Sequence, residues 1–173
     1  MKERKFRIIN KVMINEGGYV DNPKIIDQPT NAGITQPTLD KYNKNHPEFN
    51  FPNKVKDLTC IQVQQIYSEY YDERRIDEIE NERIASAIFD MGVMSNYNNV
   101  GKIVQKTLND SMGENLVVDG KIGYFTIKAL NDISGNKIDD FMQSLKENRI
   151  DFLRGLPGWN KYGKGWINRT NRY

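Results

Sequence analysis

The stretch Met13-Ile14-Asn15-Glu16-Gly17-Gly18-Tyr19 decides how this chain is read. Upstream of it, Phe6, Ile9, Val12 and Met13 recur at helical spacing and mark one apolar face. A first helix is therefore predicted from about Glu3 to Asn15. Glu16 lies two turns beyond Ile9 and about one turn beyond Val12, so it projects from that same face. Gly17 and Gly18 terminate the helix. A carboxyl in this place loses hydration and meets the negative end of the helix macrodipole, and both effects disfavour its charged form. A general acid working near neutral pH requires such surroundings. A Glu at a helix end that swings into solvent fits the same short pattern.

Composition narrows the chemistry. The chain has 173 residues and a formal net charge of +2, which suits one compact domain or one domain with a small appendage. The mild positive charge permits attraction to an anionic polymer such as a bacterial wall. No stretch has the clustered Lys and Arg with interleaved aromatics of a nucleic-acid reader, so no nucleic-acid partner is expected. One cysteine, Cys60, and one histidine, His46, exclude an internal disulfide framework and a zinc site of the usual kind, so neither metal nor cofactor is expected. A Cys-His pair would need Cys60, at the start of a predicted helix, to meet His46 in a Pro-rich connection. A Ser-His-Asp triad would have to use that same His46, followed directly by Pro47. Carboxylates are the remaining hydrolytic groups.

Met1 to Lys11 is charged and amphipathic and lacks the apolar core of a signal peptide. No apolar run approaches membrane-spanning length, and no membrane insertion is expected. Any target outside the cell is therefore expected to be reached by another route.

Tyr19 to Thr35 is rich in Pro, Asn, Asp and Gly and reads as loop with a small hairpin. Thr35 caps a short predicted helix reaching about Lys44, with Pro37 in its first turn. Thr59-Cys60-Ile61-Gln62 is a capping box, and the helix it opens runs to about Arg75 with Val63, Ile66, Tyr67 and Tyr70 as its stripe. Ile84, Ala87, Ile88 and Met91 mark the most apolar helix, the expected central one. Val100, Ile103, Val104 and Leu108 mark another. Val118-Asp119-Gly120-Lys121-Ile122-Gly123 is a turn with short extended flanks, and helical pattern resumes through Ile127 and Leu130. A long helix is predicted from about Lys137 to Leu153. The tail, Gly155 to Tyr173, holds both tryptophans. The fold class expected is mainly α: a single helical domain with a small irregular or β-hairpin segment after the first helix.

Glu16-Gly17-Gly18-Tyr19, then Asp27, then Thr30-Asn31-Ala32-Gly33-Ile34-Thr35 resembles the signature of glycoside hydrolase family 108. These are N-acetylmuramidases found among phage endolysins and bacterial secretion activator proteins. Phe89-Asp90-Met91-Gly92-Val93, and Gln105 with Leu108, resemble the family's middle helices. Val118-Asp119-Gly120-Lys121-Ile122-Gly123 with Thr126 and Leu130 resembles its peptidoglycan-binding half, and Lys164-Gly165-Trp166-Ile167-Asn168-Arg169 matches its Gly-Trp-x-x-Arg close. The resemblance spans nearly the whole chain. It implies a catalytic muramidase-like part over 1–95 and a peptidoglycan-binding-like helical part over 96–173, packed into one compact unit. The implied activity is cleavage of the β-1,4 bond between N-acetylmuramic acid and N-acetylglucosamine. The implied partner is the peptidoglycan glycan strand, and the resemblance implies a lysozyme-like fold in a protein expected to be a monomer, made in the cytoplasm and released to the wall or periplasm by a holin or another export route.

The family's catalytic Glu carries over to Glu16. The family reads Asp-Pro-Gly-Gly-x-Thr before Gly-Ile-Thr, whereas Asp27-Gln28-Pro29-Thr30 is shorter and lacks both glycines. Glycoside hydrolysis needs a second group that activates water or stabilises the oxocarbenium-like transition state. Asp27 and Thr30, in the loop expected to fold over Glu16, are the candidates for that role. Tyr19, Asp21 and Thr35 are candidates for contact with substrate. Each has a plainer reading, Asp27 as a turn former, Thr30 as a hairpin residue, Tyr19 as a shield for the first helix and Thr35 as a helix cap. Tyr67, Tyr70 and Tyr71 read as core, and Trp159, Tyr162 and Trp166 as packing of the tail. Two other functions fit the sequence: a noncatalytic wall-binding or secretion-assisting protein, and a lytic transglycosylase that uses Glu16 without water.

Overall fold

A computed structural model describes residues 2–22 and 28–173. Chain packing defines two units, Met1–Glu73 and Arg74–Tyr173. In the first, α1 (Lys2–Glu16) packs on α3 (Cys60–Glu73), with α2 (Gln36–Asn45) and a small sheet beside them. Ile8, Ile9 and Val12 are the buried residues of α1, while Phe6 is 54% exposed. The inward stripe is thus rotated from the expected one. Phe6 and Ile8 lie within one turn of each other, and only the surface presented by α3 selects between them. On α3, Val63, Ile66, Tyr67 and Tyr71 are buried, with Tyr71 taking the place expected for Tyr70.

Local chemistry places the helix ends as the sequence indicates. The Thr35 hydroxyl accepts from the Thr38 N–H at the start of α2, whose first turn carries Pro37. At α3, the Thr59 N–H donates to Gln62 Oε1 at 3.0 Å and the Gln62 N–H donates back to Thr59 Oγ1 at 3.3 Å, a complete capping box. Between α1 and α2 lie β1 (Tyr19–Val20), β2 (Thr30–Asn31) and β3 (Ile34–Thr35). They form an antiparallel sheet in the order β1-β2-β3, with Tyr19 opposite Asn31, Val20 opposite Thr30, Thr30 opposite Thr35 and Asn31 opposite Ile34.

The second unit contains α4 (Glu82–Met94), α5 (Tyr97–Met112), α6 (Tyr124–Asn131), α7 (Lys137–Arg154) and α8 (Trp159–Thr170). Asn81 caps α4 by accepting from the Arg83 and Ile84 N–H groups. Every residue from Ile84 to Gly92 is buried, as expected of a central helix. Burying each of Ile84, Ile88 and Phe89 contributes about 1.5–3 kcal/mol. The packing runs from α4 to α5, from α5 to α7, and from α7 to α8. The tail, to which the sequence assigned no element, forms α8. Its Gly163 lies under Trp159, whose ring atoms are 2.8 Å from where a Cβ would stand, so the glycine is there for ring packing despite its poor helix propensity.

One acid sits within this apolar stack. Asp90 on α4 is fully buried. Arg169 of α8 donates to its Oδ1 from Nη2 at 2.7 Å and from Nε at 2.9 Å, and Arg149 of α7 donates to Oδ2 at 3.1 Å. Burial by itself pushes Asp90 up, but Arg169 and then Arg149 outweigh it and hold the carboxyl below its usual range. The triad ties three helices together through directional bonds in a place where an unpaired charge would be strongly destabilising.

Asp90→Asn takes the carboxylate from the buried Arg149 and the part-buried Arg169 and should cost about 3–5 kcal/mol in urea unfolding at neutral pH. Because the folded-state pKa of Asp90 is depressed, its contribution is complete above the unfolded-state value of about 3.9 and is lost as pH falls through the folded value. The stability difference between the parent and Asp90→Asn should therefore narrow on acidification below about pH 4, and unfolding curves across pH 2.5–7 measure it.

Candidate active site

Glu16 is the last residue of α1 and is half-buried. The helix ends because Gly17 takes φ +76°, in the left-handed region, while its N–H still donates to the Met13 carbonyl at 3.1 Å. The chain then enters β1, and the Ala32–Gly33 turn between β2 and β3 comes back against the helix end. Ala32 has φ +47° and Gly33 φ +78°, the two positive values of a type I′ hairpin. A Cβ on Gly33 would stand 2.7 Å from Glu16 Oε2, 2.8 Å from Glu16 Cδ and 2.7 Å from the Tyr67 hydroxyl oxygen. The Glu16 carboxyl and the Tyr67 hydroxyl therefore converge on the bare Cα of Gly33.

The turn is strained at Ala32, because a left-handed conformation costs a residue with a Cβ roughly 1–2 kcal/mol. Both backbone polar groups of Ala32 are engaged in return. Its N–H donates to the Gly18 carbonyl at 3.3 Å, and its carbonyl accepts from the Tyr67 hydroxyl at 2.8 Å. Asn31 fixes β2 from the other side by donating to the carbonyls of Val55 and Leu58 at 3.1 and 3.2 Å. Each of the groups that meet at Glu16 is thus held by its own anchors.

The other expected site residues are distributed as follows. Thr30 is half-buried and pairs across the sheet with Val20 and Thr35. Thr30 and Thr35 share one face of the sheet and stand one register step back from the Ala32–Gly33 turn. The Thr35 hydroxyl is engaged as the cap of α2 and lies 3.0 Å from the Thr38 hydroxyl. Tyr19 is 45% exposed and donates to Asp21 Oδ2 at 3.0 Å. Partial desolvation, and then the Asp21 carboxylate, hold the Tyr19 phenol above its ordinary value. Asp27 lies outside the described residues.

Two residues at the site were not singled out as functional from sequence. Gly33 stood inside the Asn31-Ala32-Gly33 run, and the signal for it is the turn type, which requires positive φ at both central positions. Tyr67 is 1% exposed and belongs to the core as expected, yet its hydroxyl comes to the same Gly33 backbone as the Glu16 carboxyl. Burial of a tyrosine with a polar tip calls for a partner, but sequence spacing does not say which. His46 is engaged elsewhere, apart from Cys60. His46 ends α2, stacks 4.5 Å from the Tyr42 ring and 5.4 Å from the Phe49 ring, and its Nε2 lies 3.0 Å from Glu69. Glu69 is nine residues further along α3 than the exposed Cys60, which at about 1.5 Å per residue separates the two by about 13 Å.

The family model described as "Glycosyl hydrolase 108" matches residues 9–95, just over half of the chain, and one described as "Predicted Peptidoglycan domain" matches residues 99–171. No curated protein matches the chain. Among solved structures, that of Brucella abortus SagA is similar at 29% sequence identity and a TM-score of 0.78, over 99% of this chain and 92% of that one. With a half-buried carboxyl closing the first helix, a hairpin turned back over it and a family match that spans both, this chain belongs to glycoside hydrolase family 108.

Proposed function

We propose that the protein is a muramidase that hydrolyses the β-1,4 bond between N-acetylmuramic acid and N-acetylglucosamine in peptidoglycan, with Glu16 as the general acid. Family membership supports a glycoside hydrolase or a peptidoglycan-directed role, and the second match supports attachment to the same polymer. The observation that carries the assignment of Glu16 is its placement. Its carboxyl sits at a helix end against the Gly33 position, where the Tyr67 hydroxyl also arrives, and a proton donor needs such a fixed position. Glu16 gives its proton to the leaving glycosidic oxygen as the C1–O bond breaks. Water then adds to C1 and loses a proton to a second polar group. Asp27 is proposed to take that proton and Thr30 to hold the water, both on the polar segment that follows Gly17 and Gly18, with Tyr19, Asp21 and Thr35 toward the bound sugar. The site of action is the cell wall. None of the helices among the described residues is long and apolar enough to cross a membrane.

Glu16→Gln keeps the shape of the side chain and removes the acidic proton. Clearing of a peptidoglycan suspension should fall by about 10²–10⁴-fold with an unchanged circular dichroism spectrum. Near-normal clearing by the folded variant would falsify the assignment. Mass spectrometry of the released fragments separates the reaction classes. Hydrolysis adds one water to each cut, whereas anhydro ends would replace the muramidase reading with a lytic transglycosylase.

Gly33→Ala places a methyl group where the Glu16 carboxyl and the Tyr67 hydroxyl now lie, on a residue that keeps a positive φ. It should lower turnover more than substrate affinity and reduce stability by about 1–2 kcal/mol. Tyr67→Phe keeps the ring packing and removes the hydroxyl. It should cost about 0.5–1.5 kcal/mol of stability and lower turnover by a smaller factor than Glu16→Gln does. Steady-state kinetics on soluble glycan fragments, together with melting curves, check both variants.

A further inference from the structure

In the second unit a cleft of about 500 Å³ opens between the loop after α5 and the first turn of α6. Val117, Tyr124 and Phe125 rim it and are 80%, 68% and 74% exposed. The two rings form an edge-to-face pair with centroids 5.5 Å apart and planes at 77°. Adjacent exposed apolar side chains of this size mark an interaction surface.

The floor of the cleft is held rigidly. Gln105 is 2% exposed, and its Nε2 donates to Asp119 Oδ1 at 2.8 Å and to the Lys121 carbonyl at 3.1 Å. Its Oε1 accepts from the Gly120 N–H at 2.8 Å, and the Lys121 N–H donates to Asp119 Oδ1 at 2.8 Å. The Gln105 hydrogen bond, followed by that of the Lys121 backbone, keeps Asp119 below the usual carboxylate range. Backbone meets backbone beneath this turn, since the Gly120 carbonyl oxygen lies 2.0 Å from where a Cβ on Gly101 of α5 would be. The aromatic rim therefore stands on a preformed base, which lowers the ordering cost of binding.

The chemistry of the lining selects the occupant. Asp119 and Lys121 balance in charge, so the cleft does not recruit a polyanion. Apolar ring faces beside a carboxylate and the amide of Asn115 suit a neutral ligand with apolar C–H faces and many hydroxyl and amide groups. An N-acetylated sugar chain has that composition, and the stretch lies in the region matched as a peptidoglycan domain. We infer that this cleft binds the glycan strand of peptidoglycan, with Tyr124 and Phe125 stacking on sugar faces and Asn115 and Asp119 meeting hydroxyl and N-acetyl groups. The inference rests on the wall-directed reading of the protein.

The test uses the full chain with Glu16→Gln, so that nothing is cleaved, and a soluble N-acetylglucosamine oligomer as the probe. The backbone amide resonances of Lys121, Tyr124 and Phe125 should shift on titration. Adding Tyr124→Ala and Phe125→Ala should weaken those local shifts, and co-sedimentation with purified sacculi, roughly tenfold with an unchanged melting curve. Absent shifts at these amides, or undiminished sedimentation of the double variant, overturn the inference. Shifts produced by a wall stem peptide but not by the sugar oligomer also overturn it and assign the cleft to peptide. Wall clearing by the unsubstituted protein is read separately, so failure here leaves the role of Glu16 standing.

Discussion

The Glu16 carboxyl occupies the space that any side chain at position 33 would need, and the arrangement of the first unit depends on that exclusion. Because Gly33 has no Cβ, the β2–β3 turn can approach the end of α1 more closely than a residue with a side chain could. The same turn places the Ala32 carbonyl within reach of the Tyr67 hydroxyl, so α3 is tied to the turn beside Gly33. Helix end, hairpin and α3 are therefore positioned by one mutual contact. The strain at Ala32 is offset by the bonds to its N–H and carbonyl, consistent with the way backbone strain is held at functional sites by its surroundings.

The second unit solves a different problem. Its central helix is nearly all apolar, and hydrophobic packing is non-directional, so helices around it could slide with modest loss of burial. Asp90 removes that freedom. A fully buried carboxylate that takes donors from both α7 and α8 fixes where those helices lie along α4, since a displaced partner would leave a charge unpaired. The closing Gly-Trp-x-x-Arg segment acquires a structural meaning from this contact, because its Arg169 is one of the two partners. The residues matched to the hydrolase family run to position 95 and so include α4, whose charge is satisfied by arginines in the stretch matched as a peptidoglycan domain. The buried charge cluster of this unit is therefore shared between the two matched stretches.

The sequence by itself determined the mainly helical class, the stop at Gly17 and Gly18, the Thr35 and Thr59 caps and the burial of the Ile84–Met91 helix. Each of these is written in contacts a few residues apart, through hydrogen bonds of the first turn or a 3.6-residue apolar period. Where two residues satisfied the same period, as with Phe6 and Ile8 or Tyr70 and Tyr71, periodicity could not choose, and the facing helix did. The glycine-rich α8 was illegible for a related reason. Local propensity disfavours it, and it forms because Gly163 admits the Trp159 ring and Arg169 reaches Asp90. At the candidate site the sequence marked Glu16 through its position on a helix face. Only the tertiary structure decided its surroundings, because Gly33 and Tyr67 lie 17 and 51 residues away along the chain and come to one place with it through space, where no sequence period reaches.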